Sequence, residues 1–90
     1  MPDASYRIVY KRSLDKDLRG LSVALRKVII KKILALAIDP LPASVTKLRG
    51  STDLYRLRHS DYRVIYQFRK GQLTILIIKV GHRREVYKDL

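Results

Sequence analysis

The chain has 90 residues, the size of one domain, and 47% of them are hydrophobic, which is enough for a small core. Twenty Lys and Arg oppose eight Asp and Glu, giving a formal net charge of +12. This balance suits a polyanionic partner, most often nucleic acid, although an anionic membrane surface or an acidic protein also fits. Cysteine is absent, which excludes a disulfide framework and a thiolate metal site and fits a reducing cytoplasm.

The sequence predicts a cytoplasmic protein with no targeting or membrane-spanning segment. Residues 1–7 lack the apolar region of a secretory signal. The longest mainly apolar run, residues 73–78, is far shorter than the ~20 residues that span a bilayer. A small basic structural protein of the ribosomal or chromatin type is the simpler alternative. Such proteins often carry Lys-rich tails, whereas the charges here are interleaved with apolar residues throughout.

The first half of the chain predicts one strand and two helices. Tyr6–Tyr10 has the composition of a short opening strand. Ser13 is placed to cap a short helix that Gly20 ends, and Ser22 is placed to cap a longer helix that runs to about Ala37. Along the longer helix, one apolar stripe is predicted to face the core. The stripe comprises Leu25, Ile29, Ile33 and Leu36, and Val28 widens it.

The second half predicts four strands. They are Val45–Leu48, Leu54–His59, Tyr62–Phe68 and Leu73–Val80. The resulting order is β-α-α-β-β-β-β, and there is no internal repeat. Because helices come early and strands late, we predict an α+β fold, with a small, mainly antiparallel sheet packed on two N-terminal helices. Residues 1–90 then form a single domain, and residues 81–90 are ambiguous between loop, strand and a helical turn.

The stretch from Leu54 to Phe68 predicts a β-hairpin whose two faces differ chemically. A two-residue turn at Ser60-Asp61 pairs Arg58 with Arg63, and Arg56 lies two residues away on the same face. The opposite face is apolar and aromatic. Like charges directly opposite each other destabilise a sheet, so we infer that the arginine patch holds an anionic ligand.

A second turn at Lys70-Gly71 extends this sheet. If residue 69 pairs with residue 72, Tyr66 lies opposite Ile75 and Val64 opposite Ile77, on the face that packs against the helices. Thr74, Leu76 and Ile78 then lie on the arginine side and form a shallow, partly apolar floor. A bulge would shift this register by one residue.

Four motifs occur in order along the chain: KLRG at 47–50, YRLR at 55–58, DYRVIYQ at 61–67 and VGHRREVY at 80–87. Together they resemble the bacterial and archaeal RelE toxins of the RelE/ParE superfamily. The resemblance implies a small sheet packed on two helices. It also implies an enzyme that cuts mRNA in the ribosomal A site and is held inactive by a cognate antitoxin. The RNA 2′-OH attacks the neighbouring phosphate, and the reaction needs no metal or other cofactor.

The resemblance assigns catalytic roles by position. The candidate catalytic residues are Arg56, Arg58, Arg63, Arg83 and Tyr87, and His82 is a candidate general base. The RNA-binding candidates are Lys47, Arg49, Lys31, Lys32, Lys11 and Arg12. The best-characterised RelE toxins have lysines where this chain has Arg56 and Arg58. Arginine stays protonated, so it is a poor general base but still clamps a phosphate.

The two histidines have different predicted positions. Counting alternate residues places His82 on the arginine side, where it could act as a base because imidazole titrates near neutrality; a structural role is equally open. His59 falls on the apolar side and is predicted to be structural. Two isolated histidines and scattered aspartates do not form a metal-ligand cluster.

Two other functions remain open. A ParE-like protein of the same fold poisons DNA gyrase by binding it, but ParE-type chains lack the full basic and tyrosine set. A catalytically silent nucleic-acid-binding module is the third possibility. In this superfamily the toxin–antitoxin complex commonly binds its own operator, so contact with DNA is expected only through the antitoxin.

Overall fold

A computed structural model describes residues 5–87 and contains the helices and strands in the predicted order. The elements are β1 (Arg7–Tyr10), α1 (Leu14–Arg19), α2 (Val23–Ala35), β2 (Val45–Lys47), β3 (Leu54–His59), β4 (Tyr62–Phe68) and β5 (Thr74–His82). Five strands form one sheet in the order β1-β5-β4-β3-β2. β1 runs parallel to β5 and the other neighbours are antiparallel, so the predicted α+β class is confirmed. Within residues 5–87, no helix is long and apolar enough to cross a membrane.

The hairpin of β3 and β4 has the predicted bounds and register. Arg58 lies opposite Arg63, Leu57 opposite Val64, and His59 opposite Tyr62. Ser60 has φ of 54°, the left-handed conformation that a tight two-residue turn requires. The turn residues and the strict alternation of side chains together set this register, so the sequence predicts it correctly.

The predicted register between β4 and β5 is wrong. Tyr66 lies opposite Ile77 instead of Ile75, because residues 69–73 form a longer loop than a two-residue turn. The ladder then shifts once more: Ile65 lies opposite Lys79, which leaves Ile78 as the extra residue of a β-bulge. The bulge shifts the register by one further residue, and its position changes which β5 side chains reach each face.

The core lies between the sheet and the two helices. Ile29, Ile33 and Leu36 of the predicted stripe are buried, and Leu25 packs against the same cluster. Val28 does not widen the stripe, since 39% of it is exposed. The Ser22 hydroxyl accepts a hydrogen bond from the Leu25 amide at 3.2 Å, as predicted for an N-cap.

One further contact anchors the segment after α2 to the sheet. Tyr66 is fully buried, and its hydroxyl donates to the carbonyl of Pro40 at 2.7 Å. Burial raises the pKa of this phenol, so it remains a neutral donor.

The predicted cap at Ser13 is wrong: its backbone is helical, and its side chain makes no capping hydrogen bond.

Asp53 joins the turn before β3 to the end of β4. Its carboxylate accepts hydrogen bonds from Arg69 Nε at 2.6 Å and from Gln67 Nε2 at 3.2 Å, and the Ser51 hydroxyl lies 3.5 Å from its other oxygen. The Arg69 hydrogen bond is the main reason why the pKa of Asp53 lies below its ordinary value. The carboxylate therefore links neighbouring strands at the end of the sheet that lies away from the hairpin turn.

We predict that Asp53→Asn removes a pH-dependent part of the folding stability. A depressed carboxyl pKa contributes stability that is present above the unfolded-state value of about 3.9 and is lost as pH falls through the folded value. The difference in Tm between parent and variant should therefore be larger at pH 7 than at pH 3. Asp15→Asn is the control, because Asp15 forms only an exposed pair with Arg19. An equal Tm difference at both pH values would contradict the prediction.

Candidate functional site

The side of the sheet opposite the helices carries a cluster of arginines, here called the arginine face. Its defining residues are Arg56, Arg58 and Arg63 on β3 and β4. Arg58 and Arg63 are direct cross-strand partners, and Arg56 lies opposite Ile65 on the same face. The structure therefore brings these three predicted residues together, as the hairpin register requires.

Hydrogen bonds orient two of the three guanidinium groups. Arg63 Nη1 donates to the carbonyls of Ser60 and Tyr62, each at 3.0 Å, so the turn itself holds this side chain. Arg56 Nη1 donates to the hydroxyl of Tyr87 at 3.0 Å. A guanidinium has five N–H donors, so each group keeps donors for an anion while its position is set by the protein. Arg58 is the exposed member of the set.

The segment after β5 folds back across the arginine face. The amides of Glu85 and Val86 both donate to the carbonyl of His82, at 2.9 and 3.0 Å. Val86 is fully buried and lies against Gly81, where a Cβ would be 3.6 Å from the Val86 Cα. Ile65 points to this side of the sheet and is also fully buried. The predicted shallow floor is therefore partly covered, and the segment brings Tyr87 to Arg56.

Arg83 lies at the end of the sheet that carries the hairpin turn. Its amide donates to the carbonyl of Asp61 at 2.7 Å, and its side chain is exposed. This contact ties the start of the C-terminal segment to the turn between β3 and β4. Tyr87 thus joins the arginine face through Arg56, while the backbone amide of Arg83 places this residue beside the hairpin turn. Residues 88–90 of that tail lie outside the described part of the chain.

The prediction that His82 lies on the arginine face is wrong. Because of the bulge, His82 is the cross-strand partner of Tyr62, which belongs to the opposite side of the sheet. The two rings contact edge to face with centroids 5.7 Å apart. His82 therefore packs on the tyrosine side at the end of the sheet, and counting alternate residues failed because one extra residue intervenes. His59 lies on that same side, as predicted.

The bulge instead places Lys79 on the arginine side, which sequence analysis missed. Lys79 lies opposite Ile65, and its ammonium group is 3.5 Å from Asp17 Oδ1. The other oxygen of Asp17 accepts a hydrogen bond from the Val80 amide at 3.1 Å. Asp17 therefore supports both the strand edge and the lysine beside the bulge. No pattern in the sequence marks either residue, because the position of the bulge is set by tertiary packing.

The six predicted RNA-binding cations lie outside the arginine face. They are Lys11 and Arg12 in the loop before α1, Lys31 and Lys32 on α2, Lys47 at the end of β2, and Arg49 in the turn that follows it. Lys47 pairs with Tyr55 and so belongs to the other side of the sheet. Lys32 shares with Arg58 the lining of a cavity of about 220 Å³. Among residues 5–87, no group of three or more acidic or histidine side chains is arranged to hold a metal ion.

Comparisons with known proteins identify the family. The family model described as "ParE toxin of type II toxin-antitoxin system, parDE" matches residues 8–87. The mRNA interferase toxin RelE of Escherichia coli (strain K12) is 35% identical over 78 residues, which cover 82% of this chain and 81% of that protein. The putative toxin RelE1 of Methanocaldococcus jannaschii is 32% identical over 84 residues, covering 90% and 92%.

Solved structures agree with this result. The archaeal RelE–RelB complex from Pyrococcus horikoshii OT3 matches with a TM-score of 0.78 at 32% identity, covering 90% of this chain and 98% of that chain. The isolated RelE toxin of E. coli matches with a TM-score of 0.75 at 29% identity, covering 94% of each chain. The chain therefore belongs to the RelE/ParE superfamily of toxins of type II toxin–antitoxin systems.

We predict that Val86→Ala loosens the C-terminal segment without unfolding the domain. Removing two buried carbon atoms costs on the order of 1–2 kcal/mol, and the segment is a small unit held by few contacts. Amide hydrogen exchange at Glu85 and Val86 should accelerate, while exchange at the Tyr66 amide in the main core should stay unchanged. Arg84→Ala, which removes an exposed side chain from the same segment, serves as the control. Equal protection of residues 85 and 86 in parent and variant would show that Val86 does not hold the segment.

Proposed function

We propose that this toxin is a ribosome-dependent endoribonuclease that cleaves mRNA in the A site and so inhibits translation. The observation that supports this proposal is the arginine face, on which oriented guanidinium groups and the Tyr87 phenol converge. Like charges on adjacent strands cost folding stability, and an anionic ligand offsets that cost. Curated relatives above 30% identity carry the name mRNA interferase.

The proposed chemistry uses a nucleophile that the substrate supplies. The ribose 2′-OH attacks the adjacent phosphate, so the bond from the 2′-oxygen to phosphorus forms as the bond from phosphorus to the 5′-oxygen breaks. In net terms the proton of the 2′-OH moves to the departing 5′-oxygen, which leaves a cyclic phosphate and a free 5′-OH. Arg58 and Arg63 bracket the phosphate and stabilise the charge that develops on it, since preorganised donors act most strongly in the transition state. Arg56 and Arg83 orient the flanking nucleotides, and Tyr87 stacks on a base or bonds to the phosphate. This division of roles requires no metal.

The position of His82 restricts its proposed role. Its ring packs on Tyr62 at the end of the sheet, so it reaches the scissile phosphate only if the RNA bends around that end. Guanidinium groups do not accept protons at physiological pH. We therefore propose that the protein mainly orients RNA and neutralises charge, and that the ribosomal A site completes the geometry for attack.

A gyrase-binding toxin is the second candidate, and the description of the matching family model favours it. Such a toxin needs an interface with a protein and does not need a positioned set of phosphate-binding groups. The retained Arg56, Arg58, Arg63, Arg83 and Tyr87 support the nuclease instead. A cognate antitoxin is the proposed partner in either case, since several similar structures are complexes of RelE with RelB. Operator DNA is then contacted through the antitoxin.

We predict that cleavage depends on the ribosome. Purified protein added to a translating extract should produce mRNA 5′ ends within A-site codons, mapped by primer extension. Naked mRNA at matched concentration should be cut much more slowly, because no described feature of this small domain forms a groove that reads bases. Equal rates on the two substrates would indicate a general ribonuclease. Intact mRNA together with broken or poorly supercoiled plasmid would identify the gyrase-binding alternative.

We predict that Arg63→Ala loses a transition-state contact, while Arg19→Ala does not. Removing one positioned donor of this kind typically costs on the order of 10²–10³ in rate. Arg19 gives a matched control, because its guanidinium is exposed on α1 and its loss changes the net charge equally. Single-turnover cleavage at saturating ribosome separates the chemical step from binding, and thermal melts confirm that both variants fold. If Arg63→Ala cleaves at the parental rate, the arginine face is a docking surface without a catalytic role.

A further inference from the structure

A cavity of about 530 Å³ opens at the end of the sheet that lies away from the hairpin turn. Its lining combines three aromatic residues, Tyr6, Tyr55 and Phe68, with two cations, Arg69 and Lys70. Tyr55 places it on the side of the sheet that faces the helices, so the cavity lies apart from the arginine face. Cavities of this volume are typical of sites for small organic groups.

Other rings hold the aromatic walls of the cavity in place. Tyr6 meets Phe68 edge to face, with centroids 5.3 Å apart and planes at 84°. Tyr55 stacks on Tyr66, with centroids 5.7 Å apart. Phe68 and Tyr66 are buried in the core, whereas Tyr6 and Tyr55 are only half-buried. Two rings supported from behind therefore border the open space, and a flat group that enters it can stack at little cost in side-chain ordering.

Cations border the same cavity. Lys70 is exposed and has no carboxylate partner among residues 5–87. Arg69 donates through Nε to Asp53 at 2.6 Å, which leaves the Nη donors of its guanidinium for a ligand. The Arg69 pair also offsets the charge of Asp53, the acidic residue in the lining. Lys47 lies opposite Tyr55 on this side of the sheet and adds a third cation.

We propose that this cavity binds an unpaired nucleotide of single-stranded RNA. The base enters the cavity and stacks on Tyr6 or Tyr55, while Lys70 and the Nη groups of Arg69 meet its phosphate. Lys47 contacts a neighbouring phosphate of the strand. Because every base has a flat face, such a site anchors RNA without reading its sequence.

This inference does not rest on the proposed function. The cavity and the arginine face lie on opposite sides of the sheet, and binding in the cavity requires no cleavage. The proposal also gives a role to Lys47, a predicted RNA-binding residue that the arginine face does not include.

Other ligands fit the cavity less well. A cationic ligand is repelled by the three cations, and the carboxylate of Asp53 is already paired. A protein segment must supply an aromatic residue and an acidic residue in the right order, whereas a nucleotide joins a flat ring to an anion in one unit. A free mononucleotide offers the same ring and phosphate but no neighbouring phosphate for Lys47, so a strand gains more from this surface.

Tyr55→Leu and Tyr55→Phe test the stacking contact as a matched pair, because Leu keeps apolar bulk without a ring and Phe keeps the ring. The probe is a short, fluorescently labelled 2′-O-methyl oligoadenylate, which lacks the nucleophilic 2′-OH. Tyr55→Leu should raise the Kd of this probe about tenfold, and Tyr55→Phe should change it less than about twofold. Thermal melts establish that both variants fold. Equal Kd values for the parent and Tyr55→Leu would overturn the stacking role of the cavity.

Lys70→Ala tests the phosphate contact at an exposed loop position, where the substitution leaves the fold intact. Losing one phosphate contact should reduce the slope of log Kd against log salt by about 0.7, the value for single strands. Lys27→Ala removes the same charge from an exposed position on α2 and should leave the slope unchanged. The same slope in the parent and in both variants would overturn the phosphate contact.

Methyl NMR locates the bound strand and separates this proposal from the nuclease. The methyl signals of Leu41 and Thr52, which line the cavity, should shift when the probe is added. Shifts confined to Ile65 and Val86 on the arginine side would overturn the cavity site while leaving the nuclease intact. Adenosine monophosphate that binds as tightly as the oligonucleotide would overturn the strand in favour of a free nucleotide. Shifts at Leu41 and Thr52 in a protein that cleaves no ribosome-bound mRNA would support the cavity site and refute the nuclease alone.

Discussion

One extra residue in β5, Ile78, sets the chemistry of both faces of the sheet near its C-terminal end. Because Ile65 pairs with Lys79 while Tyr66 pairs with Ile77, every later residue of β5 changes side relative to a regular ladder. Lys79 consequently reaches the arginine side and His82 reaches the tyrosine side. Gly81 then lies opposite Arg63 and packs against Val86 of the segment that folds over the sheet.

The bulge occurs where β5 loses its outer neighbour. β1 pairs with β5 only as far as Ile77, so the following residues would present an open strand edge. Asp17 of α1 occupies this edge. One of its carboxylate oxygens accepts a hydrogen bond from the Val80 amide, and the other forms an ion pair with Lys79. A short helix thus replaces a strand at this edge, and its carboxylate satisfies a donor that would otherwise be buried or open to pairing.

The arginine face brings like charges together on the side of the sheet that lies away from the main core. The main core lies on the other side of the sheet, between the strands and α2, and supplies the apolar burial that stabilises the domain. Carbonyls at the turn hold Arg63, and a phenol holds Arg56, so some of the repulsion is offset locally. Residues that oppose folding but are held in place by hydrogen bonds are typical of functional sites.

The parts of the structure that sequence predicts are those controlled by local rules. The β3–β4 hairpin is predictable because a two-residue turn at Ser60-Asp61 and strict alternation allow a single register. The Ser22 cap is predictable because the following residues are helical and its hydroxyl has a free amide within reach. The fold class follows from the order of the elements, and the family resemblance supports the same class.

The features that sequence does not predict depend on tertiary contacts. The five-residue loop at 69–73 is stabilised by the Asp53 carboxylate, which bonds Arg69 from a different turn. The path of residues 83–87 follows from one amide that reaches Asp61 and one valine that packs over Gly81, and neither has a periodic signal. Period-two counting places His82 on the wrong face for the same reason, since such counting holds only along an uninterrupted ladder.

The net charge of +12 attracts any polyanion, so charge alone does not separate an RNA substrate from an acidic protein. On the arginine face, guanidinium groups cluster with a phenol, an arrangement that suits a phosphate and a base. Long-range electrostatics therefore speeds the encounter with any polyanion, while the guanidinium geometry of this face provides the discrimination.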